Sequence, residues 1–263
     1  IDNSDPFSAL AFRFFFVAIG FYLFSFYSKQ SIIINRRNLI ESVLSGVLFH
    51  GLYLGGVFYS VSVGVPTGIA ALIVTLQPVL TNALSGPILG ETVNTKQWIG
   101  VMLGFLGAAL VLGWDMGSDI PLLGFVATLV ALISITASTI WQKKLSNNLP
   151  LSVSNFYQAA GGCLFHILVI LIFAEPYIDF NKTFFIAMSH QIFLVSFGAF
   201  TILMFLIKKN SASRTVSVFF LIPPTSAFMA WLFLNEKLTT LDLVGFIIAS
   251  IGVFITTRGS KDC

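Results

Sequence analysis

Long apolar stretches separated by short polar breaks run along the whole chain. Nine such stretches occur, at residues 6–26, 39–62, 66–89, 95–114, 121–144, 151–174, 184–207, 212–234 and 240–257. A helix needs roughly 20 apolar residues to cross the hydrocarbon core of a bilayer, and the stretches are close to that length. The pattern therefore predicts an all-α polytopic membrane protein with nine visible transmembrane helices.

The composition supports this prediction and excludes several classes of protein. Of the 263 residues, 56% are hydrophobic and 10% are charged, whereas a soluble domain carries roughly 25% charged residues. A soluble enzyme, a disordered chain and a nucleic-acid-binding protein are excluded on this ground. The two cysteines, Cys163 and Cys263, are too few for a disulfide framework or a metal site. We expect neither a metal nor a cofactor.

The basic residues indicate how the chain is oriented. When successive breaks are assigned to alternate sides, eleven of the 14 lysines and arginines fall on one side, and Lys182 and Lys237 fall on the other. The remaining one, Arg13, lies inside the first stretch. Loops rich in lysine and arginine stay in the cytoplasm. The chain is therefore predicted to lie in a bacterial-type inner (plasma) membrane, with its visible N-terminus outside and its C-terminus cytoplasmic.

The second half of the sequence repeats the first. A shift of 145 residues places Pro78 on Pro223 and Glu91 on Glu236, among seven identities over residues 66–110. Because Glu91 and Glu236 fall on opposite sides, the two units have opposite orientations, as in many secondary transporters. The predicted units are residues 1–114 and 115–263. The second has five helices and the first has four, so we expect a ten-helix protein whose first helix precedes Ile1.

Several short motifs carry a resemblance to a known family. They are Pro6-Phe7 with Ala11-Phe12-Arg13-Phe14, Gly64-Val65-Pro66-Thr67-Gly68, and the matching pair Leu89-Gly90-Glu91 and Leu234-Asn235-Glu236. Over nearly its whole length the chain resembles the EamA type of the drug/metabolite transporter superfamily. The resemblance implies two inverted five-helix units that move small metabolites, often exporting amino acids or drugs. It also implies a central cavity lined by the first, third and fourth helix of each unit.

Polar residues inside the apolar stretches are the candidates for substrate contact. Stripes at helical spacing select some of them, and an ionisable group within a span is a functional hypothesis by default. The candidates are Gln77, Thr81, His50, Tyr53, Ser138 and Gln142, with Pro78 and Pro223 as hinges. A histidine can also carry a coupling proton. The alternatives are hydrogen bonds between helices, a neutral histidine bonded to a neighbouring helix, and fixed kinks.

Four further charged or ionisable residues have a structural interpretation beside a functional one. Arg13 is expected to extend to the outer interface, or else to contact an acidic group or the anionic part of a substrate. His166 lies on a helix that the resemblance makes peripheral, which favours a structural role. Glu91 and Glu236 are expected to cap the helices that follow them, with binding of a coupling ion as the alternative.

The predicted function is secondary transport, because no catalytic or nucleotide-binding motif is found. We expect a transporter of the inner membrane that moves small amphipathic metabolites by alternating access, with export as the expected direction. An uncoupled facilitator or channel is the main alternative, and an integral-membrane enzyme is a weaker one. The expected partners are a small-molecule substrate and the lipid bilayer, with a proton or another ion as a candidate for coupling. The sequence leaves the oligomeric state open.

Overall fold

The protein is a bundle of membrane-spanning helices. The computed structural model describes residues 4–112, 120–145, 149–173, 175–234 and 239–258. The described residues form nine successive helical spans: α1 (Pro6–Tyr27), α2 (Arg36–Ser62), α3 (Thr67–Leu89), α4 (Thr95–Leu112), α5 (Leu122–Leu145), α6 (Leu151–Phe173), α7 (Lys182–Lys209), α8 (212–234) and α9 (Thr240–Arg258). Within these ranges, all except α8 are long and apolar enough to cross a membrane. The predicted all-α, multi-span fold is confirmed.

Two spans contain a break next to a proline. The helix of α3 is interrupted after Val74 and restarts at Gln77, immediately before Pro78. The span α8 consists of Ala212–Ser217, a tight 3₁₀ turn at Val218–Leu221, and Ile222–Leu234, with Pro223 as the second residue of the last segment. A proline lacks the N–H that a helix interior needs, but it fits the first turn of a new helix. The two breaks lie at positions related by the 145-residue shift.

Two other spans contain a widened π-helical segment. In α2 it covers Val47–Tyr53, and in α7 it covers His190–Phe200. A shift of 145 residues places the first segment within the second. Such segments are often found at functional sites, because the extra residue per turn disturbs the regular pairing of backbone groups. Neither segment is predicted by the sequence pattern.

The spans α4 and α9 begin in the same way. Asn94 and Gln97 exchange side chain-to-backbone hydrogen bonds, each of 2.9 Å, at the start of α4. Thr239 and Asp242, the residues 145 positions later, exchange equivalent bonds at the start of α9. This reciprocal arrangement satisfies two backbone N–H groups that a helix start leaves free.

The most extensive helix contact joins α4 and α9, and small residues make it possible. A Cβ atom added to Gly107 would lie 2.3 Å from the backbone nitrogen of Ala249 and 2.6 Å from the carbonyl oxygen of Gly245. A Cβ atom added to Gly100 would lie 2.7 Å from the carbonyl oxygen of Gly252. The order of these pairs makes the two helices antiparallel. Close backbone contact at small residues is a common mode of helix association in membranes.

The interior of the bundle is unusually polar, whereas its outer surface is apolar. Serine, threonine, asparagine and glutamine side chains are buried between the helices, and leucine, isoleucine and phenylalanine side chains are exposed around them. This arrangement suits a bilayer, in which burying an apolar side chain between helices brings little advantage over contact with lipid. The span α5 lies between α2 and α3, and α6 packs against α1 and α2. These contacts position the polar residues described below.

Candidate functional site

The six residues predicted to contact substrate do not form a single cluster. They fall into three pairs, one each on α2, α3 and α5. One group contains His50 and Tyr53, in the π-helical segment of α2. The second contains Gln77 and Thr81 of α3, and the third contains Ser138 and Gln142 of α5.

His50 lies at the centre of an aromatic cluster. Its ring centroid is 4.4 Å from that of Phe14 on α1 and 4.7 Å from that of Phe200 on α7. The side chain is 4% exposed. Tyr53, three residues later, is half-buried and packs with Phe49 at 5.4 Å between centroids. The π-helical segment therefore places two polar side chains among rings contributed by three helices.

His166 of α6 forms a hydrogen bond with the backbone of this segment. Its Nε2 lies 2.9 Å from the backbone carbonyl oxygen of His50. A carbonyl oxygen accepts only, so Nε2 carries the hydrogen. Within the described residues, the Nδ1 atoms of both histidines are buried without a hydrogen-bond partner. The side chain of His166 is fully buried where α6 packs against α1 and α2, and its bond to a backbone carbonyl is a structural contact between helices.

Arg13 is buried beside the same cluster. Its side chain does not extend to the outer interface as expected, since the residue is only 6% exposed. Its Nε donates a hydrogen bond of 2.9 Å to Ser196 Oγ on α7, and its guanidinium carbon lies 5.1 Å from the centre of the Phe14 ring. It also interacts electrostatically with Tyr53 and with His50. The cation thus belongs to the interior of the bundle.

Gln77 and Thr81 face the interior between α3 and α5. Gln77 Nε2 donates a hydrogen bond of 3.0 Å to Thr139 Oγ1. The hydroxyl of Thr81 is buried and has no hydrogen-bond partner among the described residues. Gln77 directly precedes Pro78, so this polar pair lies where α3 restarts after its break. Both side chains are enclosed in this conformation, so they can bond a solute only if α3 and α5 move apart.

Ser138 and Gln142 belong to a closed network of neutral side chains. Ser138 Oγ lies 3.1 Å from Ser45 Oγ, to which Gln142 Nε2 also donates at 2.9 Å. Gln142 Nε2 bonds to Gln158 Oε1 as well, and Gln158 Nε2 donates to Ser154 Oγ at 2.9 Å. The network joins α2, α5 and α6, and all of its members are buried. Its hydrogen bonds connect the three helices to one another.

A cavity lies between α3 and α5, close to the last two groups. It has a volume of about 680 Å³, and its walls come from one face of α3 and one face of α5, including Leu80, Leu84 and Trp141. Arg37 and Lys144 line it as well, near the end where α2 begins and α5 ends. None of the six predicted contact residues lines the cavity. Its apolar wall and charged rim suit an amphipathic molecule.

Several partners in these groups were missed by sequence reasoning. They are Ser45, Gln158, Thr139 and Ser196, each of which bonds a residue at least 16 positions away. Serine and threonine inside apolar stretches give only a weak signal, because they are common at helix contacts in membranes. The pairing itself depends on how the helices pack.

Comparison with known proteins gives a consistent result. The sequence profile of the EamA-like transporter family matches residues 1–113 and 122–258. The chain is 22% identical over 223 residues to a probable amino-acid metabolite efflux pump of Escherichia coli (strain K12), covering 78% of this chain and 72% of the relative. It is 27% identical over 234 residues to the uncharacterized transporter YvbV of Bacillus subtilis (strain 168), covering 85% of this chain and 72% of the relative.

The fold also matches that of a protein of known crystal structure. The TM-score is 0.80 at 15% identity, and the match covers 98% of this chain and 89% of the other. At this identity the likeness concerns the fold alone. Together with the family match over nearly the whole sequence, it leads to one conclusion: the chain belongs to the EamA-like transporter family and is a multi-span membrane transporter.

Proposed function

We propose that this transporter exports small amphipathic metabolites, such as amino acids or drugs, from the cytoplasm by alternating access. The observation that carries the proposal is the recurrence of local irregularities after 145 residues. The π-helical segments of α2 and α7, and the breaks before Pro78 and Pro223, come in such pairs. Two inverted units that rock against each other are a common basis for alternating access.

The proposed units are residues 1–114 and 115–263. The antiparallel contact between α4 and α9 supports this division, because Gly100 and Gly107 are related to Gly245 and Gly252 by the same shift. Pro78 and Pro223 are the proposed flexing points, since a broken helix has fewer backbone bonds to hold its two parts in line. The side that carries most cations is proposed to face the cytoplasm of a bacterial-type inner membrane, together with the C-terminus.

The proposed substrate contacts centre on His50 and Tyr53 of α2. Gln77 and Thr81 of α3 are the second pair, and α5 packs against both helices. His50 and Thr81 have enclosed hydrogen-bonding atoms without protein partners among the described residues, and in this proposal a solute reaches them when the two units move. Ser138 and Gln142 are part of the proposed site only through the network that ties α5 to α2 and α6. The cavity beside α3 and α5 supports an amphipathic rather than a highly charged substrate, because its wall is apolar.

The name of the relative in Escherichia coli, an amino-acid metabolite efflux pump, supports amino acids as the first substrates to test. The experiment uses the full chain purified into liposomes, with radiolabelled L-leucine as the probe and protein-free liposomes as the control. Accumulation against a concentration gradient when a proton gradient is applied would support coupled transport. Flux that only equilibrates leucine would favour the uncoupled facilitator, and the absence of flux for leucine and for other amphipathic solutes would refute the proposal.

A further inference from the structure

We propose that Arg13 binds the anionic group of the transported solute, so that the preferred substrates carry a carboxylate. This inference rests on the proposed function and names the residue that selects the chemical class. Arg13 and His50, one of the proposed contact residues, both pack against Phe14: the guanidinium carbon lies 5.1 Å from the centre of the Phe14 ring, and the His50 ring centroid lies 4.4 Å from it. It lies within α1, about 10 Å from Pro6 at a rise of about 1.5 Å per residue.

The guanidinium of Arg13 uses only part of its hydrogen-bonding capacity. Its Nε donates to Ser196, whereas no hydrogen bond or ion pair to its two terminal nitrogens is found in the described part of the chain. These two nitrogens are not among the fully enclosed polar atoms that lack a partner. They therefore still touch accessible space, although the residue as a whole is 94% buried, being 6% exposed.

The charge has no counter-ion among the described residues. The described carboxylates lie at helix ends or in loops, and they are Asp5, Glu41, Glu91, Glu175, Asp179 and Asp242. The single ion pair among the described residues joins Arg37 and Glu41. Burying a cation without an opposite charge is unfavourable, and cations inside spans generally mark a functional pathway. A solute that brings its own negative charge would remove this imbalance each time it binds.

The surroundings of Arg13 suit the recognition of a carboxylate. The unpaired end of a guanidinium presents parallel N–H groups that match the two oxygens of a carboxylate. The Phe14 ring, which lies against the guanidinium, also packs against the rings of His50 and His166, whose Nδ1 atoms have no hydrogen-bond partner among the described residues. The hydrogen bond from Nε to Ser196 leaves both terminal nitrogens without a partner among the described residues.

The test compares two probes, L-leucine and L-leucinamide, which differ only in that a neutral carboxamide replaces the carboxylate. The full chain is placed in liposomes as wild type, Arg13→Gln, Arg13→Lys and Ser196→Ala. We expect Arg13→Gln to lower leucine flux below saturation by about tenfold to a hundredfold, as the loss of a hydrogen-bonded charge pair implies. Leucinamide flux should change less than twofold. Arg13→Lys should retain part of the leucine flux, and Ser196→Ala should lower leucine flux less than Arg13→Gln does, because it leaves the charge in place.

Two outcomes would overturn the inference. One is an equal loss of flux for both probes in Arg13→Gln, which would mean that Arg13 has a structural role only. The other is that Arg13→Gln lowers the flux of neither probe. If both Arg13 variants fail to fold, the wild type decides, because a preference for leucine over leucinamide below tenfold contradicts the inference. Wild-type protein that moves both probes equally leaves the proposed transport function intact, whereas wild-type protein that moves neither leucine, leucinamide nor other amphipathic solutes refutes both.

Discussion

The carboxylate of Glu91 caps a helix that lies 121 residues further along the chain. Its Oε1 accepts a hydrogen bond of 2.8 Å from the backbone N–H of Ala212, the first residue of α8, and Oε2 lies 3.4 Å from the N–H of Ser213. Its position in the sequence predicts that Glu91 caps α4, which follows it directly. Asn94 and Gln97 already perform that task. The expectation of capping identified the role but not the helix.

We predict that Glu91→Ala lowers the free energy of unfolding by about 0.5–2 kcal/mol, because the start of α8 loses its side-chain acceptor. Glu91→Gln should cost less, since an amide oxygen still accepts but carries no charge. Unfolding by dodecyl sulfate in mixed micelles measures the change. Glu41→Gln is the matched control, because Glu41 pairs only with the exposed Arg37. A cost for Glu41→Gln as large as that for Glu91→Ala would contradict the prediction.

The glycines between α4 and α9 should not tolerate even a methyl group. Gly107→Ala would bring Cβ to 2.3 Å from the backbone nitrogen of Ala249, so the helices must move apart. We expect a loss of about 1–3 kcal/mol in the free energy of unfolding, as for other overpacked contacts. Gly86→Ala in α3 is the control, because its nearest neighbour would be 3.6 Å away. The control should be neutral or stabilising by about 0.4–1 kcal/mol; equal losses at both glycines would exclude close packing as the cause.

A comparison of two single substitutions can separate the packing role of Gln77 from a role in substrate contact. The hydrogen bond between Gln77 and Thr139 should contribute about 0.6 kcal/mol to stability, the average for such bonds in membranes. Gln77→Leu and Thr139→Val each remove it. If Gln77 also contacts substrate, Gln77→Leu should lower leucine flux several-fold more than Thr139→Val at equal loss of stability. Equal losses of flux would assign Gln77 to packing alone.

The orientation can be tested with single cysteines at the two ends of α7. After replacement of Cys163 and Cys263 by serine, Lys209→Cys marks the end with most cations, and Asp179→Cys marks the loop at the other end. We expect a membrane-impermeant maleimide to label Asp179→Cys in intact cells and Lys209→Cys only after permeabilisation. Labelling in the reverse order would place the C-terminus outside the cytoplasm.

The spans were predictable from the sequence for a simple reason. Every lipid-facing turn must be apolar, so a span appears as an unbroken apolar run whichever way it is packed. The break in α3 was also within reach, because Pro78 cannot continue a helix hydrogen-bond pattern. The π-helical segment at Val47–Tyr53 was not, since it contains no proline and its residues are ordinary for a membrane helix.

The interior contacts were less predictable, because they depend on which helices become neighbours. The stripe containing Gln77 was expected to face the interior, and the structure places it there, yet its partner Thr139 lies 62 residues away. Arg13 shows the same limit. A cation 10 Å or so from a helix end can extend to the interface in principle, and only the packing of α1 against α6 and α7 encloses it.

The contact between α4 and α9 has a consequence for how such a chain can arise. Gly100 meets Gly252, and the residues 145 positions away, Gly245 and Gly107, meet each other in the same way. The surface is therefore its own complement, as in the isologous interface of a two-fold symmetric dimer. A half-length ancestor could pair through this surface with a second copy of itself in the opposite membrane orientation. Duplication and fusion of its gene would then preserve the helix contact without any new mutation.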